Sequence, residues 1–179
     1  MLKNKILFKL TGSIACYKAC YVISKLVQNN FEVKTVCTPS ALQFIGRATL
    51  EGLTHNPVYA DMFENKTALK HIDLIKWADL AIVCPATANV INKFARGIAD
   101  DCVTTLFLAN NFKKPYLITP AMNVNMWQHP ATQASLKTLE KWGIKILPTE
   151  KGTLACGDKG AGRLLDPDKI YEKIRQELK

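Results

Sequence analysis

No apolar run in these 179 residues approaches the length of a bilayer span. The opening Met1-Leu2-Lys3-Asn4-Lys5 leads straight into strand-like residues, without the apolar core or cleavage site of a signal peptide. These absences predict a cytoplasmic protein with no membrane partner. The six cysteines form no Cys-x-x-Cys pair, and all but Cys156 fall inside apolar periodic segments, so they read as reduced, packed thiols. Cys16 and Cys20 stand four apart with no further ligands nearby, and no metal site is expected. Also missing are a Gly-x-Gly-x-x-Gly run and a Walker lysine, which argues against a dinucleotide or a nucleoside triphosphate. Acidic residues are outnumbered, 15 against 24 lysines and arginines, for a formal charge of +9. The basic residues are spread along the chain instead of interleaved with aromatics in one block. That pattern disfavours nucleic acid and suits a small anionic ligand, whose local concentration a positive field raises.

What is present is 48% hydrophobic content, enough for one domain with a proper core over residues 1–179. Short apolar runs at Ile6–Leu10, Glu32–Cys37, Leu80–Cys84, Tyr116–Thr119 and Ile144–Leu147 alternate with helical patterns at about Gly12–Gln28, Val90–Arg96, Asp100–Asn110 and Asp168–Leu178. The alternation predicts an α/β fold built on a doubly wound parallel sheet. Leu80–Cys84 is unbroken and suits a central strand buried on both faces. Residues 41–60 hold short pieces with no clear order, and 61–70 reads as a polar loop.

Each of four strands is followed by a small, polar turn. Gly12 permits close backbone approach and Ser13 is a good N-cap, so the first turn is a natural phosphate cradle. Thr38-Pro39-Ser40 would lie beside it if these strands are parallel neighbours. Pro85-Ala86-Thr87-Ala88-Asn89 follows the central strand, and Pro120-Ala121-Met122-Asn123-Val124-Asn125-Met126-Trp127 follows the next. In an open α/β sheet the carboxyl edge is where ligands lie. Methionine and tryptophan offer polarizable surface to a flat ring, and asparagine adds directional hydrogen bonds. The residues alone leave two readings of this last turn open: a binding wall, or a surface loop whose Met and Trp cap the core. Residues 149–166 are polar and rich in glycine, and read as a lid with hinge freedom at Gly152, Gly157, Gly160 and Gly162.

Five spaced motifs then carry a resemblance over nearly the whole chain. Gly12-Ser13-Ile14-Ala15, His71-Ile72-Asp73-Leu74 with Trp77-Ala78-Asp79, Pro85-Ala86-Thr87-Ala88-Asn89, Pro120-Ala121-Met122-Asn123 with Met126-Trp127, and Ala155-Cys156-Gly157-Asp158 with Gly160 and Gly162 follow the order seen in the homo-oligomeric flavin-containing cysteine decarboxylases. The chain resembles that family. One departure is Thr87-Ala88-Asn89-Val90 where the family has Ser-Ala-Asn-Thr, so Val90 lacks a hydroxyl that would serve the cofactor.

The resemblance implies a Rossmann-like, flavodoxin-like fold in three α/β/α layers, with FMN as cofactor. The FMN phosphate is expected near Gly12, Ser13, Thr38 and Ser40, the ring near Thr87, Ala88, Asn89, Val90, Ala121 and Met122, and Ile14 is a further expected cofactor-binding residue. It implies decarboxylation of 4'-phosphopantothenoylcysteine to 4'-phosphopantetheine in coenzyme A biosynthesis. In that chemistry the terminal cysteine is oxidised to a thioaldehyde that accepts the electrons of the departing carboxylate, and the resulting enethiolate is then reduced. His71 matches the family's catalytic histidine; alone it would read as the cap of a short helix. Cys156 is the implied acid, Asn123 the implied holder of the substrate carboxylate, and Leu154 and Ala155 line the substrate. Arg163 and Lys76 are candidates for the substrate phosphate. A homotrimer, or a dodecamer of trimers, is implied, along with a separate ligase acting upstream. Other activities of this fold remain in view: flavin prenyl transfer, decarboxylation of a peptide's C-terminal cysteine, and a regulatory flavoprotein without catalysis.

Overall fold

The apolar runs become five parallel strands, and the helical patterns cover both their faces. The computed structural model describes residues 3–61, 70–155 and 157–179, and the side chains of Lys70 and His71 lie outside that description. The polar stretch 62–69 and Cys156 are therefore not described. In chain order the elements are β1 (Lys5–Leu10), α1 (Cys16–Gln28), β2 (Glu32–Cys37), α2 (Arg47–Thr54), α3 (Lys70–Trp77), β3 (Leu80–Ala86), α4 (Ala88–Arg96), α5 (Cys102–Leu108), β4 (Tyr116–Pro120), α6 (Val124–Gln128), α7 (Pro130–Lys141), β5 (Lys145–Ile146), β6 (Glu150–Thr153), β7 (Lys159–Arg163) and α8 (Pro167–Glu177).

The five-stranded sheet has the order β2-β1-β3-β4-β5 and every pair is parallel. This is the flavodoxin-like order, in which the winding reverses between β1 and β3 and opens a crevice at the carboxyl edge there. Alternation along β1 sorts its side chains to two cores. Ile6, Phe8 and Leu10 join Val22, Ile23 and Leu26 of α1, Leu50 of α2 and Ile170 and Ile174 of α8. Leu7 faces Leu74 of α3, Ile91 and Phe94 of α4, Val103 and Phe107 of α5 and Leu139 of α7. The result is three layers, α/β/α. β3 is buried along its whole length, as expected of a strand covered on both faces.

Lys9 breaks the apolar pattern of β1. It is wholly buried, its Nζ donates to the Tyr116 hydroxyl at 2.9 Å, and its ammonium stands 4.9 Å from the centre of that ring. Burial pulls its pKa down to about 7.

Three local expectations need correction. Ser13 does not cap α1, which starts at Cys16 with Ala15 in the cap position. Residues 13–16 instead close a turn, with Cys16 N donating to Ser13 O at 3.0 Å and Ser13 Oγ accepting from Ala15 N. β5 is only two residues long, because after Leu147 N donates to Ile118 O the chain meets Pro148, which has no N–H. The segment 149–166, expected as a lid with hinge freedom at its glycines, contains an antiparallel hairpin of β6 and β7. Its glycines at 160 and 162 serve close packing instead of hinge motion. A side-chain carbon on Gly160 would sit 2.9 Å from Val124 Cγ2, and one on Gly162, whose φ is +113°, would collide with the Met122 carbonyl.

Candidate active site

The polar turns converge at the carboxyl edge because their strands are neighbours in the sheet. A side-chain carbon on Gly12 would stand 2.7 Å from both Cβ and Oγ of Ser40, so only glycine lets the turn after β1 touch the turn after β2. Thr38 is tied to Ser40 by hydroxyls 3.1 Å apart and accepts from Ala41 N at 3.1 Å. After β3, Thr87 caps α4 by accepting from Val90 N at 3.3 Å. The N–H groups of Ala88 and Asn89, in the first turn of α4, have no intrahelical acceptor and bring the positive end of the helix dipole to the edge.

The turn after β4 has its own device. Asn123 caps α6, with Oδ1 accepting from Met126 N at 2.8 Å. That bond occupies the acceptor and leaves Nδ2, which has no hydrogen-bond partner among the described residues, as a pair of free donors. Met122 N donates to Gly162 O at 2.9 Å, so the hairpin is seated on this turn.

Around these turns lies a cleft of about 850 Å³. Of the residues predicted from sequence, it is lined by Gly12, Ser13, Ile14, Ser40, Thr87, Ala88, Asn89, Ala121, Met122, Asn123, Leu154, Ala155 and Arg163. Thr38 and Val90 line a smaller cavity of about 290 Å³ that shares Ser40, Thr87 and Asn89 with the cleft. Val90 itself is buried in the core, where its methyls replace any polar role. Lys76 is not brought to the cleft. It lies in the last turn of α3, which leads into the amino end of β3, and its carbonyl accepts from Lys114 Nζ at 2.8 Å. The side chain of His71 and all of Cys156 lie outside the described residues.

Sequence reasoning missed Tyr17, Lys18 and Phe44, which also line the cleft. The first two stand three and four residues after Ile14, a helical spacing that turns them to one face. That spacing was the available signal. Met126 is half exposed and faces the cleft, while Trp127 packs on the core. Lys18 and Arg163 are the only charged groups among the described lining residues, so the wall is cationic without a carboxylate to offset it. In the smaller cavity, Lys93 pairs with Asp100 at 2.7 Å and holds that carboxyl below its ordinary range.

The residue pattern of the family described as Flavoprotein matches residues 1–179. The chain belongs to the flavoprotein family. A flavin is therefore its cofactor. This flavoprotein is 46% identical over 175 residues to the coenzyme A biosynthesis bifunctional protein CoaBC of Bacillus subtilis, an alignment covering 96% of this chain and 43% of that protein. It therefore spans less than half of that relative. It is 40% identical over 177 residues to the probable phosphopantothenoylcysteine decarboxylase of Streptococcus mutans, covering 98% of this chain and 99% of that one. Among solved structures, a cysteine-to-serine mutant of a PPC decarboxylase complexed with pantothenoylaminoethenethiol matches with a TM-score of 0.90 at 33% identity over 98% of both chains. The FMN binding protein AtHal3 matches with a TM-score of 0.87 at 32% identity, over 98% of this chain and 96% of that one.

The residues of the flavoprotein fit a flavin. The Gly12–Ser40 contact shapes a backbone cradle that a single side-chain carbon would fill, and α4 aims first-turn N–H groups at the same edge. Ile14, Met122, Met126 and Leu154 give the cleft apolar walls for a flat ring. No helix among the described residues is long and apolar enough to cross a membrane.

Proposed function

We propose that this protein is an FMN-dependent phosphopantothenoylcysteine decarboxylase that forms 4'-phosphopantetheine for coenzyme A biosynthesis. One observation carries the reading: a single cleft is lined by the phosphate-cradle turns, the Met122–Asn123 loop and the hairpin. When bound, the flavin supplies the oxidation that makes the substrate's terminal cysteine an electron sink and the reduction that restores it. The chain's own groups do the rest. Asn123 Nδ2 donates to the substrate carboxylate as a neutral group, so it orients the carboxylate without the stabilisation a cation would give the ion. Lys18 and Arg163 face the dianionic phosphate, and the apolar wall excludes water from the carbon that loses carbon dioxide. His71 handles a proton at the cysteine end of the substrate, Cys156 is the acid that protonates the enethiolate carbon, and the tip of the hairpin covers the bound substrate.

The assembly belongs to the same proposal. Ile14, Tyr17, Phe44 and Met126 are each about half exposed on the cleft side, and a second copy covering them completes the site in a homotrimer or a dodecamer of trimers. A separate ligase supplying the cysteine adduct is part of the same proposal. The same proposal assigns the reaction to the cytoplasm.

The test is mass spectrometry of phosphopantothenoylcysteine incubated with the FMN-loaded protein. The expected product has lost carbon dioxide and is otherwise unchanged in oxidation state. Unreacted substrate, with a peptide ending in cysteine decarboxylated instead, would transfer the assignment to peptidyl-cysteine chemistry.

A further inference from the structure

Two of the cleft's turns are joined by one buried hydroxyl. Thr11 is the last residue before Gly12, is almost fully buried, and points across the sheet from β1 to β3. Its Oγ1 donates to Pro85 O at 2.7 Å and accepts from Thr87 N at 3.0 Å, and it stands 3.5 Å from Thr87 Oγ1. A hydroxyl has one proton and two lone pairs, so it can satisfy a carbonyl and an N–H together; a methyl at the same place satisfies neither.

The two bonds set the geometry of Thr87. With its N–H held by Thr11, Thr87 keeps the extended backbone (φ −75°, ψ 160°) of a helix cap, and its own hydroxyl takes the Val90 N–H. The N–H groups of Ala88 and Asn89 are then left for the cleft. Thr11 also directly precedes Gly12 and Ser13, so both halves of the cradle hang from one side chain.

We infer that Thr11 is a positioning residue for the flavin: it lines the smaller cavity and not the main cleft, and it holds the Gly12–Ser13 turn and the N-terminus of α4 at the separation the cofactor requires. This rests on the flavin reading of the cleft. Thr11→Val is the discriminating change, because it keeps the shape and removes both bonds, while Thr11→Ser keeps them.

The measurement is titration of the flavin-free, full-length protein with FMN, followed by quenching of flavin fluorescence at a temperature well below unfolding. Thr11→Val is expected to weaken FMN by about tenfold or more, the effect of orphaning a buried donor and acceptor, and Thr11→Ser to stay within about threefold of the unaltered protein. The visible absorption bands of bound FMN should shift in Thr11→Val and not in Thr11→Ser. Equal FMN affinity and an unshifted spectrum in Thr11→Val, even with a lowered melting temperature, would reduce Thr11 to a fold-stabilising residue and overturn the inference. Failure of the unaltered protein to bind FMN would instead sink the flavin reading itself. Should Thr11→Val not fold, amide exchange in the unaltered protein with and without FMN decides. Slower exchange of the Thr87 N–H with FMN bound supports the inference, and exchange unchanged by FMN overturns it.

Discussion

The Met122 N–H donates to the Gly162 carbonyl at 2.9 Å, and this bond makes the base of the hairpin part of the same wall as the loop after β4. The two backbones approach so closely that residue 162 has no room for a side chain, and its φ of +113° is one that residues with a Cβ rarely adopt. Any motion of the hairpin over substrate must therefore arise beyond the anchored strand.

That anchoring predicts a contrast between two glycines. Gly162→Ala should destabilise the protein by about 2–4 kcal/mol, through strain and collision together. Gly157→Ala, at φ +90° where an added side-chain carbon would meet none of the described residues beyond its chain neighbours within 4 Å, should cost only about 1–2 kcal/mol from the backbone term. Chemical denaturation of both variants checks this. Equal losses would show that the contact with Met122 carries no weight.

Asn123 invites a separation of two roles. Asn123→Asp keeps an oxygen to cap α6 but replaces the free donor with a negative charge, so stability and FMN binding should hold while decarboxylation falls by about a hundredfold or more. Asn123→Ala loses the cap as well, at about 1 kcal/mol. Steady-state kinetics alongside thermal melts distinguish them. Full activity in Asn123→Asp would remove Asn123 from substrate binding.

How much of this was legible in the sequence depended on the range of the interaction. The small turns after each strand mark a carboxyl-edge site, and the adjacency of Gly12 and Ser40 follows from parallel pairing of β1 and β2. The hairpin was hidden because Glu150–Thr153 and Lys159–Arg163 lack the alternating apolar residues of a half-buried strand; their order comes from backbone pairing and from Met122 and Val124. The fate of Lys9 was equally hidden, since its partner Tyr116 is 107 residues away and nothing local distinguishes a buried lysine from one at a strand's edge.

Lys9 gives a prediction with a definite sign. Its pKa is about 7 when folded and near 10.5 when unfolded, so between those values the unfolded chain binds more protons and stability rises with pH. Below about pH 7 both states are protonated and the full cost of the buried charge is present. Lys9→Met should therefore stabilise the protein, and its advantage should be about 2–3 kcal/mol larger at pH 6 than at pH 9. Urea unfolding of both proteins across that range measures it. A difference independent of pH would mean that Lys9 keeps its proton when buried, with its folded pKa above this range.

The buried thiols are expected to be inert. Burial pushes Cys37 and Cys84 up to about 12 and Cys16 to about 11, which leaves almost no thiolate at neutral pH. Iodoacetamide applied to the native protein at pH 7.5 should leave these three unlabelled, and labelling should appear only on unfolding, as read by peptide mass spectrometry. Rapid labelling of Cys84 in the native state would contradict its place inside β3.

Cys156 is the thiol from which the opposite behaviour is expected, because the proposed reaction asks it to deliver a proton late in the cycle. Removing that proton source should not stop oxidation of the substrate or loss of carbon dioxide, both of which precede it. Cys156→Ser should therefore release an enethiol, two hydrogens short of the normal product, and leave one equivalent of reduced flavin per turnover. Mass spectrometry of the product, with the flavin absorbance followed in the absence of oxygen, reads both signatures. Normal product at the unaltered rate would exclude Cys156 as the acid, and loss of all reaction would place it before decarboxylation instead of after.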